Sequence, residues 1–295
     1  MNRLAIFDCD GTLVDSGATI YRAVADTLAE HGIAVPPPRE CRRVIGLSLV
    51  EAMAALVPDA EADAQSMLAE SYKRHFLRAR QEGRVEEPLF DGIAGLLDAL
   101  EADGWLLAVA TGKSDRGLSL CLECHGLSGR FVSLQTADRH PSKPHPSMAL
   151  QAIADAGSTP EATIVIGDTS YDMGMAIAAG ATGIGAAWGY HDRDELLRAG
   201  AVAVADEPGE VIALLREGGR ADMADEDLWR RRFRLFMAAR LFGLAMFLGG
   251  IAIAFTDLIR EGGWPLVGGI LAVMGAIDAV FAPRMLRKMW EQEDR

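Results

Sequence analysis

Cysteine is scarce in this chain, with four residues in 295: Cys9, Cys41, Cys121 and Cys124. So few, in a chain this long, exclude a disulfide framework. Cys121 and Cys124 do form a CxxC followed by His125, the spacing of a c-type haem attachment or a redox pair. The stretch lies inside a helical run over 115–126, which is better read as two helix cysteines and a helix-end histidine. A basic charge balance is also missing. Net charge is −13, carried by residues 1–218, while the remaining tail is close to neutral. That excludes a basic surface for nucleic acid. No leader peptide is expected, because Met1 and Asn2 run directly into an apolar strand.

The most informative stretch is Leu-Ala-Ile-Phe-Asp-Cys-Asp-Gly-Thr-Leu, residues 4–13. Leu4 to Phe7 predicts a buried strand delivering Asp8 and Asp10 at spacing two, which places them on one face. Gly11 then breaks the strand. Two acids held together at a strand end are costly to charge unless a cation sits between them. The economical reading is a Mg²⁺ site, with one acid free to attack and the other free to move protons. Cys9 should point the other way, into the core. Three further pieces follow strand-like runs. Residues 106–110 lead into Thr111-Gly112. Lys143 sits in Ser-Lys-Pro-His-Pro, where the prolines disfavour helix and stiffen the loop. Residues 163–166 lead into Gly-Asp-Thr-Ser-Tyr-Asp, with Asp168 and Asp172.

The order DxDGT, strand-end Thr, Lys, GDxxxD resembles the haloacid dehalogenase-like hydrolase superfamily, and most nearly its phosphoglycolate phosphatase-like branch, over about residues 1–218. The alternation of strands and helices after residue 88 independently predicts an α/β fold, a doubly wound parallel, Rossmann-like sheet with ligands outside the strands' carboxyl ends. Residues 15–87 interrupt it with helices only, near 18–31, 38–45, 49–56 and 60–80. The resemblance implies that this insertion after the first strand is a cap over the site. The phosphatase core is then 1–14 and 88–218, with hinges near 14–17 and 87–92. A cap excludes water and completes substrate contacts. Arg42, Arg43 and Gly46 are its substrate-touching candidates; the arginines serve equally well as a solvated helix face.

The same resemblance implies roles. Asp8 is the nucleophile and Asp10 the proton donor and acceptor. Thr111 and the Gly112 amide bind phosphate, and Lys143 offsets negative charge. Asp8, the Asp10 carbonyl and Asp168 hold Mg²⁺, with Asp172 close behind, though Asp172 can also cap the helix that follows. Asp10 favours phosphate over halide chemistry, since the dehalogenases lack an acid there. The cap's single lysine, Lys73, has no activating context for a Schiff base. The implied reaction is hydrolysis of a small, phosphoglycolate-like phosphomonoester. A sugar-phosphate mutase of the beta-phosphoglucomutase type shares the motifs, and a tethered, non-catalytic binding module is the alternative outside enzymology.

Residues 219–234 read as a polar linker, and 235–295 change character. Residues 235–255 and 265–282 carry one charge each, Arg240 and Asp278, and approach the roughly 20 residues needed to span a bilayer. Arginines at 230–232 and 234, and Arg284, Arg287 and Lys288, flank the pair on one side. The expectation is a C-terminal transmembrane hairpin at the inner or plasma membrane with a cytoplasmic catalytic domain; a buried helical hairpin in a cytoplasmic protein is the other reading. Arg240 and Asp278, at similar depth, would pair and fix the packing. The small residues Gly249, Gly250, Gly268, Ala272 and Ala276 suggest close helix contact or self-association into a homo-oligomer.

Overall fold

Leu4, Ala5, Ile6 and Phe7 are all buried, as a central strand covered on both faces requires. In the computed structural model they form β1 (Arg3–Phe7), with Leu4 and Ile6 in one apolar cluster and Ala5 and Phe7 in another. The structure describes residues 2–255, 265–274 and 276–277. The chain divides into two compact units, Met1–Arg216 and Glu217–Arg295.

In the first unit β1 is joined by β2 (Trp105–Thr111), β3 (Phe131–Thr136), β4 (Thr163–Gly167), β5 (Thr182–Ala186) and β6 (Ala203–Ala205). All pair in parallel, in the order β3-β2-β1-β4-β5-β6. The order reverses direction on either side of β1, so the crevice at its carboxyl end is the place for a ligand. The intervening helices are α1 (Gly17–Glu30), α2 (Pro38–Arg42), α3 (Leu49–Leu56), α4 (Ala62–Gln81), α5 (Ile93–Ala102), α6 (Asp115–Cys124), α7 (Ser147–Asp155), α8 (Ser170–Ala179) and α9 (Arg193–Arg198); α10 (Pro208–Phe255) follows β6. One face of the sheet packs Ala5, Phe7 and Val109 on Leu96, Leu97, Leu118 and Leu122. The other packs Leu4, Ile6 and Val165 on Met148, Ala152, Met175 and Ala176.

Helices α1 to α4 make a separate apolar cluster around Val24, Leu28, Met53 and Leu68. The two connections to this helical insertion run side by side. The Asp15 amide donates to the Pro88 carbonyl at 2.8 Å, and the Phe90 amide to the Leu13 carbonyl at 3.0 Å.

The tail differs from expectation. Residues 219–234, read as a linker, lie within α10, a single helix of 48 residues. Among the described residues no helix is long and apolar enough to cross a membrane. The expected transmembrane hairpin, and the membrane location that rests on it, are therefore not supported among the described residues. The first apolar run continues a helix that starts in charged sequence, and residues 265–274 and 276–277 of the second are helical. Part of the apolar content instead serves helix–helix contact. A Cβ on Gly250 would overlap the Ala272 amide, and one on Gly268 the Ala254 amide, so backbones meet where only glycine fits. The turn 256–264, Asp278 with its pairing to Arg240, and the basic flank at 284–288 lie outside the described residues.

Candidate active site

Strands β1, β2 and β4 end on or just before a residue of the site, and the loop after β3 carries another. Asp8 follows β1, Thr111 ends β2, Lys143 lies in the loop after β3, and Asp168 follows β4. Carboxylate oxygens of Asp8, Asp168 and Asp172 lie within 4.8 Å of one another, and all three residues are buried. Lys143, 2% exposed, inserts its ammonium among them, 2.8 Å from Asp8 Oδ1 and 2.6 Å from Asp172 Oδ1. Burial alone would discharge this lysine, yet Asp172 and Asp8 outweigh it and hold its pKa above the ordinary lysine range.

The second acids are fixed by their loops. Asp168 accepts the Thr12 hydroxyl at 2.8 Å and the Tyr190 amide at 2.9 Å. Asp172 accepts the Thr169 amide at 3.1 Å and its hydroxyl at 2.6 Å, closing a capping box on α8. One oxygen thus caps the helix and the other faces Lys143. Asp8 is different. Its approach to Lys143 lies outside hydrogen-bond geometry, and neither of its buried oxygens has a hydrogen-bond partner. A buried carboxylate so placed is costly. Burial, with Asp172 and Asp10 against it and Lys143 relieving it, raises its pKa to about 7. Burial, with Asp8 and Asp172 beside it, pushes Asp168 well above the carboxylate range. An all-oxygen donor set of three acids, one with neither oxygen in a hydrogen bond, suits a hard divalent cation.

Asp10 stands outside that cluster. Its Oδ1 accepts from the Ser16 hydroxyl and lies 2.8 Å from the Lys113 ammonium. Lys113 also reaches Glu87 at 2.6 Å, and Glu87 meets Arg80 at 2.8 Å. A chain of alternating charges therefore runs from α4 of the insertion, through the second hinge, to Asp10. Gly112 lies beneath the insertion's 46–47 loop, whose Leu47 carbonyl a Cβ there would overlap.

A model of the family described as haloacid dehalogenase-like hydrolase matches residues 5–186. The chain belongs to that family. It is 34% identical over 214 residues to a protein named probable phosphatase IndB of Dickeya dadantii, covering 72% of this chain and 93% of that one. It is 32% identical to a phosphoglycolate phosphatase of Xylella fastidiosa, over 65% of this chain and 83% of the other. Among solved structures, a hydrolase from Pseudomonas syringae superposes with a TM-score of 0.65 at 28% identity, covering 73% of this chain and 99% of that one. The matches place this hydrolase in the phosphoglycolate phosphatase-like branch.

Within the hydrolase, Asp8, Asp10, Thr111, Gly112, Lys143, Asp168 and Asp172 gather at the carboxyl end of the sheet, and Gly46 lines the cavity beside them. Arg42 and Arg43 do not line it. Arg42 is exposed at the end of α2, and Arg43 binds Glu195 of α9 at 2.6 Å. Sequence reasoning missed Lys113, Glu87 and Arg80. The one available signal was that Lys113 directly follows Thr111-Gly112. Cys9 points into the core, as its alternation predicts, with its Sγ 4.0 Å from that of Cys121, while Cys124 is exposed. Cys121 thus faces Cys9 and not its CxxC neighbour.

Replacing Gly112 with alanine is expected to displace the 46–47 loop and lower kcat/KM by about 10²-fold, since misplacement by about an ångström costs that much. The Tm should move little, and a full loss of fold would contradict the interpretation.

Proposed function

We propose that this hydrolase is a Mg²⁺-dependent phosphatase that cleaves a small phosphomonoester through a phosphorylated Asp8. The observation that carries the reading is the Asp8 carboxylate: buried, without a hydrogen-bond partner, and beside a lysine and two further acids. Asp8, Asp168, Asp172 and the Asp10 carbonyl would hold the ion, which when bound supplies positive charge against the phosphoryl oxygens. The names of the Dickeya and Xylella relatives support hydrolysis, with water rather than a second sugar as acceptor.

A carboxylate attacking an anion needs fixed positive charge to offset the repulsion. Lys143 provides it from 2.8 Å. The Thr111 hydroxyl and Gly112 amide bind phosphate oxygens and orient phosphorus toward Asp8. An Asp8 oxygen bonds to phosphorus, the bond to the alcohol oxygen breaks, and Asp10 donates a proton to that oxygen. Asp10 then takes a proton from water. The water oxygen attacks phosphorus, the Asp8–phosphorus bond breaks, and inorganic phosphate leaves. Closure of the helical insertion excludes bulk water during the first step.

The test is phosphate release by the purified full-length chain from a broad panel of phosphomonoesters. Turnover is expected with Mg²⁺, background rates with EDTA, and recovery on adding Mg²⁺ back. No turnover on any panel member with Mg²⁺ present sinks the proposal.

The metal requirement also predicts a pH dependence of stability. Asp8 and Asp168 have folded-state pKa values raised by burial, so the metal-free fold keeps protons that the unfolded chain releases. Stability is then lost as pH rises from the unfolded value near 4 toward the folded one, about 7 for Asp8. Mg²⁺ displaces those protons. Its stabilisation should be larger at about pH 8 than at about pH 5.5, where protons compete. At 100 times its dissociation constant, the ion stabilises by about 2.7 kcal/mol, or roughly 5–10 °C in Tm for a chain of this size. An equal or larger shift at the lower pH would contradict the assignment of the acids as ligands.

A further inference from the structure

A cavity of about 520 Å³ opens on Asp10, Gly112 and Lys113 and runs from the catalytic acid into the helical insertion. Its size is that of a site for a drug-sized molecule, about 300–1,000 Å³. Its walls are apolar: Ile20 and Val24 of α1, Met53 and Leu56 of α3, Tyr72 and Phe76 of α4. The Tyr72 and Phe76 rings stack with centroids 5.8 Å apart. Ile20, Leu56 and Tyr72 are only partly buried in the insertion's own core, so their open sides face the cavity. Unfilled apolar space forfeits dispersion contacts that an apolar ligand restores.

Charge in the cavity is already committed. Lys113 is held by Asp10 and Glu87, Arg80 by Glu87, and Lys73 by Glu70 at 2.7 Å. Arg116 is exposed on α6 at the rim, where an ion pair is worth about 0–1 kcal/mol. Asp10 and Asp138 add negative charge to the wall. A substrate carboxylate entering here would meet two acids and no free buried cation, and it would lose its hydration. An uncharged apolar body has no such cost.

Resting on the phosphatase reading, we infer that the preferred substrate is a phosphomonoester whose alcohol carries a bulky, uncharged apolar group, with a flat ring system best matched to Tyr72 and Phe76. The phosphoryl group lies at Asp8 and the apolar body extends into the insertion. A two-carbon acid such as glycolate leaves most of this cavity empty.

The experiment compares esters of alkyl alcohols, so that leaving-group chemistry stays nearly constant: ethyl phosphate, benzyl phosphate, 2-naphthylmethyl phosphate and phosphoglycolate, with the full chain and Mg²⁺. From ethyl to naphthylmethyl, kcat/KM should rise about tenfold or more, as apolar pocket contacts provide, and it should exceed that for phosphoglycolate. Phe76→Gln, and separately Leu77→Gln at the more exposed cavity edge, should narrow the naphthylmethyl-to-ethyl ratio by about tenfold. A flat series, a phosphoglycolate preference or an unchanged ratio in both variants overturns the substrate class while leaving the phosphatase intact. No turnover of any ester, together with no thermal stabilisation by beryllofluoride, overturns the phosphatase reading and this inference with it.

Discussion

Asp8→Asn should lower phosphate release by at least about 10⁴-fold, because it removes the nucleophile and leaves the rest of the site in place. Asparagine has nearly the shape of aspartate, so packing at the end of β1 is preserved. The charge is not. In the wild type, burial raises the Asp8 pKa to about 7, which means that the folded chain pays for its ionisation at neutral pH. An amide carries no such cost, and Lys143 remains satisfied by Asp172 at 2.6 Å. The metal-free variant should therefore melt at a higher temperature than metal-free wild type at about pH 8, with the difference shrinking toward about pH 5, where wild-type Asp8 is protonated. The variant should also lose most of the stabilisation by Mg²⁺ and by beryllofluoride. Activity loss with a lower Tm would point to a structural role for Asp8. Retained activity would remove the covalent step altogether.

The ends of β1, β2 and β4 were legible because Asp8, Thr111 and Asp168 each sit at or just after a short apolar run that reads as a buried strand. Leu4–Phe7, the run before Thr111 and the run before Gly167 all form adjacent parallel strands. Parallel pairing then brings their carboxyl ends together without any further information. The Glu87–Lys113–Asp10 chain of charges was not legible. Its members belong to a hinge, a loop after β2 and a loop after β1, and nothing local relates them. That Arg42, which ends α2, and Arg43, just after it, do not line the cavity was hidden for a similar reason. A short helix with charges on several faces does not reveal which face opens on the site, and Arg43 turns to Glu195. Two local signals in the tail are ambiguous. Gly218-Gly219 and the acidic run after it suggested a break, yet Ala, Arg, Glu and Met in that stretch are strong helix formers and α10 continues through it. An apolar helix surface looks alike whether lipid or another helix covers it, and the close approach at Gly250 and Gly268 shows that helix–helix contact accounts for part of it.

Lys143→Met should be the most damaging substitution for the fold as well as for catalysis. The side chain is fully buried and its ammonium touches Asp8 and Asp172, with Asp168 in the same cluster. Methionine matches its length, so the cavity term is small. What is lost is the only cation among the described residues that contacts Asp8 or Asp172. Breaking a buried ion pair from one side costs about 3–5 kcal/mol, because the abandoned charge stays desolvated. Three buried acids without a lysine must take up protons to stay folded. The variant's deficit should accordingly be largest at about pH 8 and diminish as pH falls and the acids neutralise. A divalent ion replaces part of the missing charge, so Mg²⁺ should raise the Tm of Lys143→Met by more than it raises that of wild type. It should not restore turnover, since the ion cannot stand where the ammonium meets both the attacking oxygen and the phosphoryl group; kcat should remain down by about 10³-fold. Lys143→Arg keeps the charge in a larger, forked group, and should recover stability better than rate. The combination of strong pH-dependent destabilisation, enhanced metal rescue of folding and no rescue of turnover separates a charge-balancing lysine from a merely space-filling one. A uniform loss of stability across pH, unaffected by Mg²⁺, would show that packing, not electrostatics, keeps Lys143 in place.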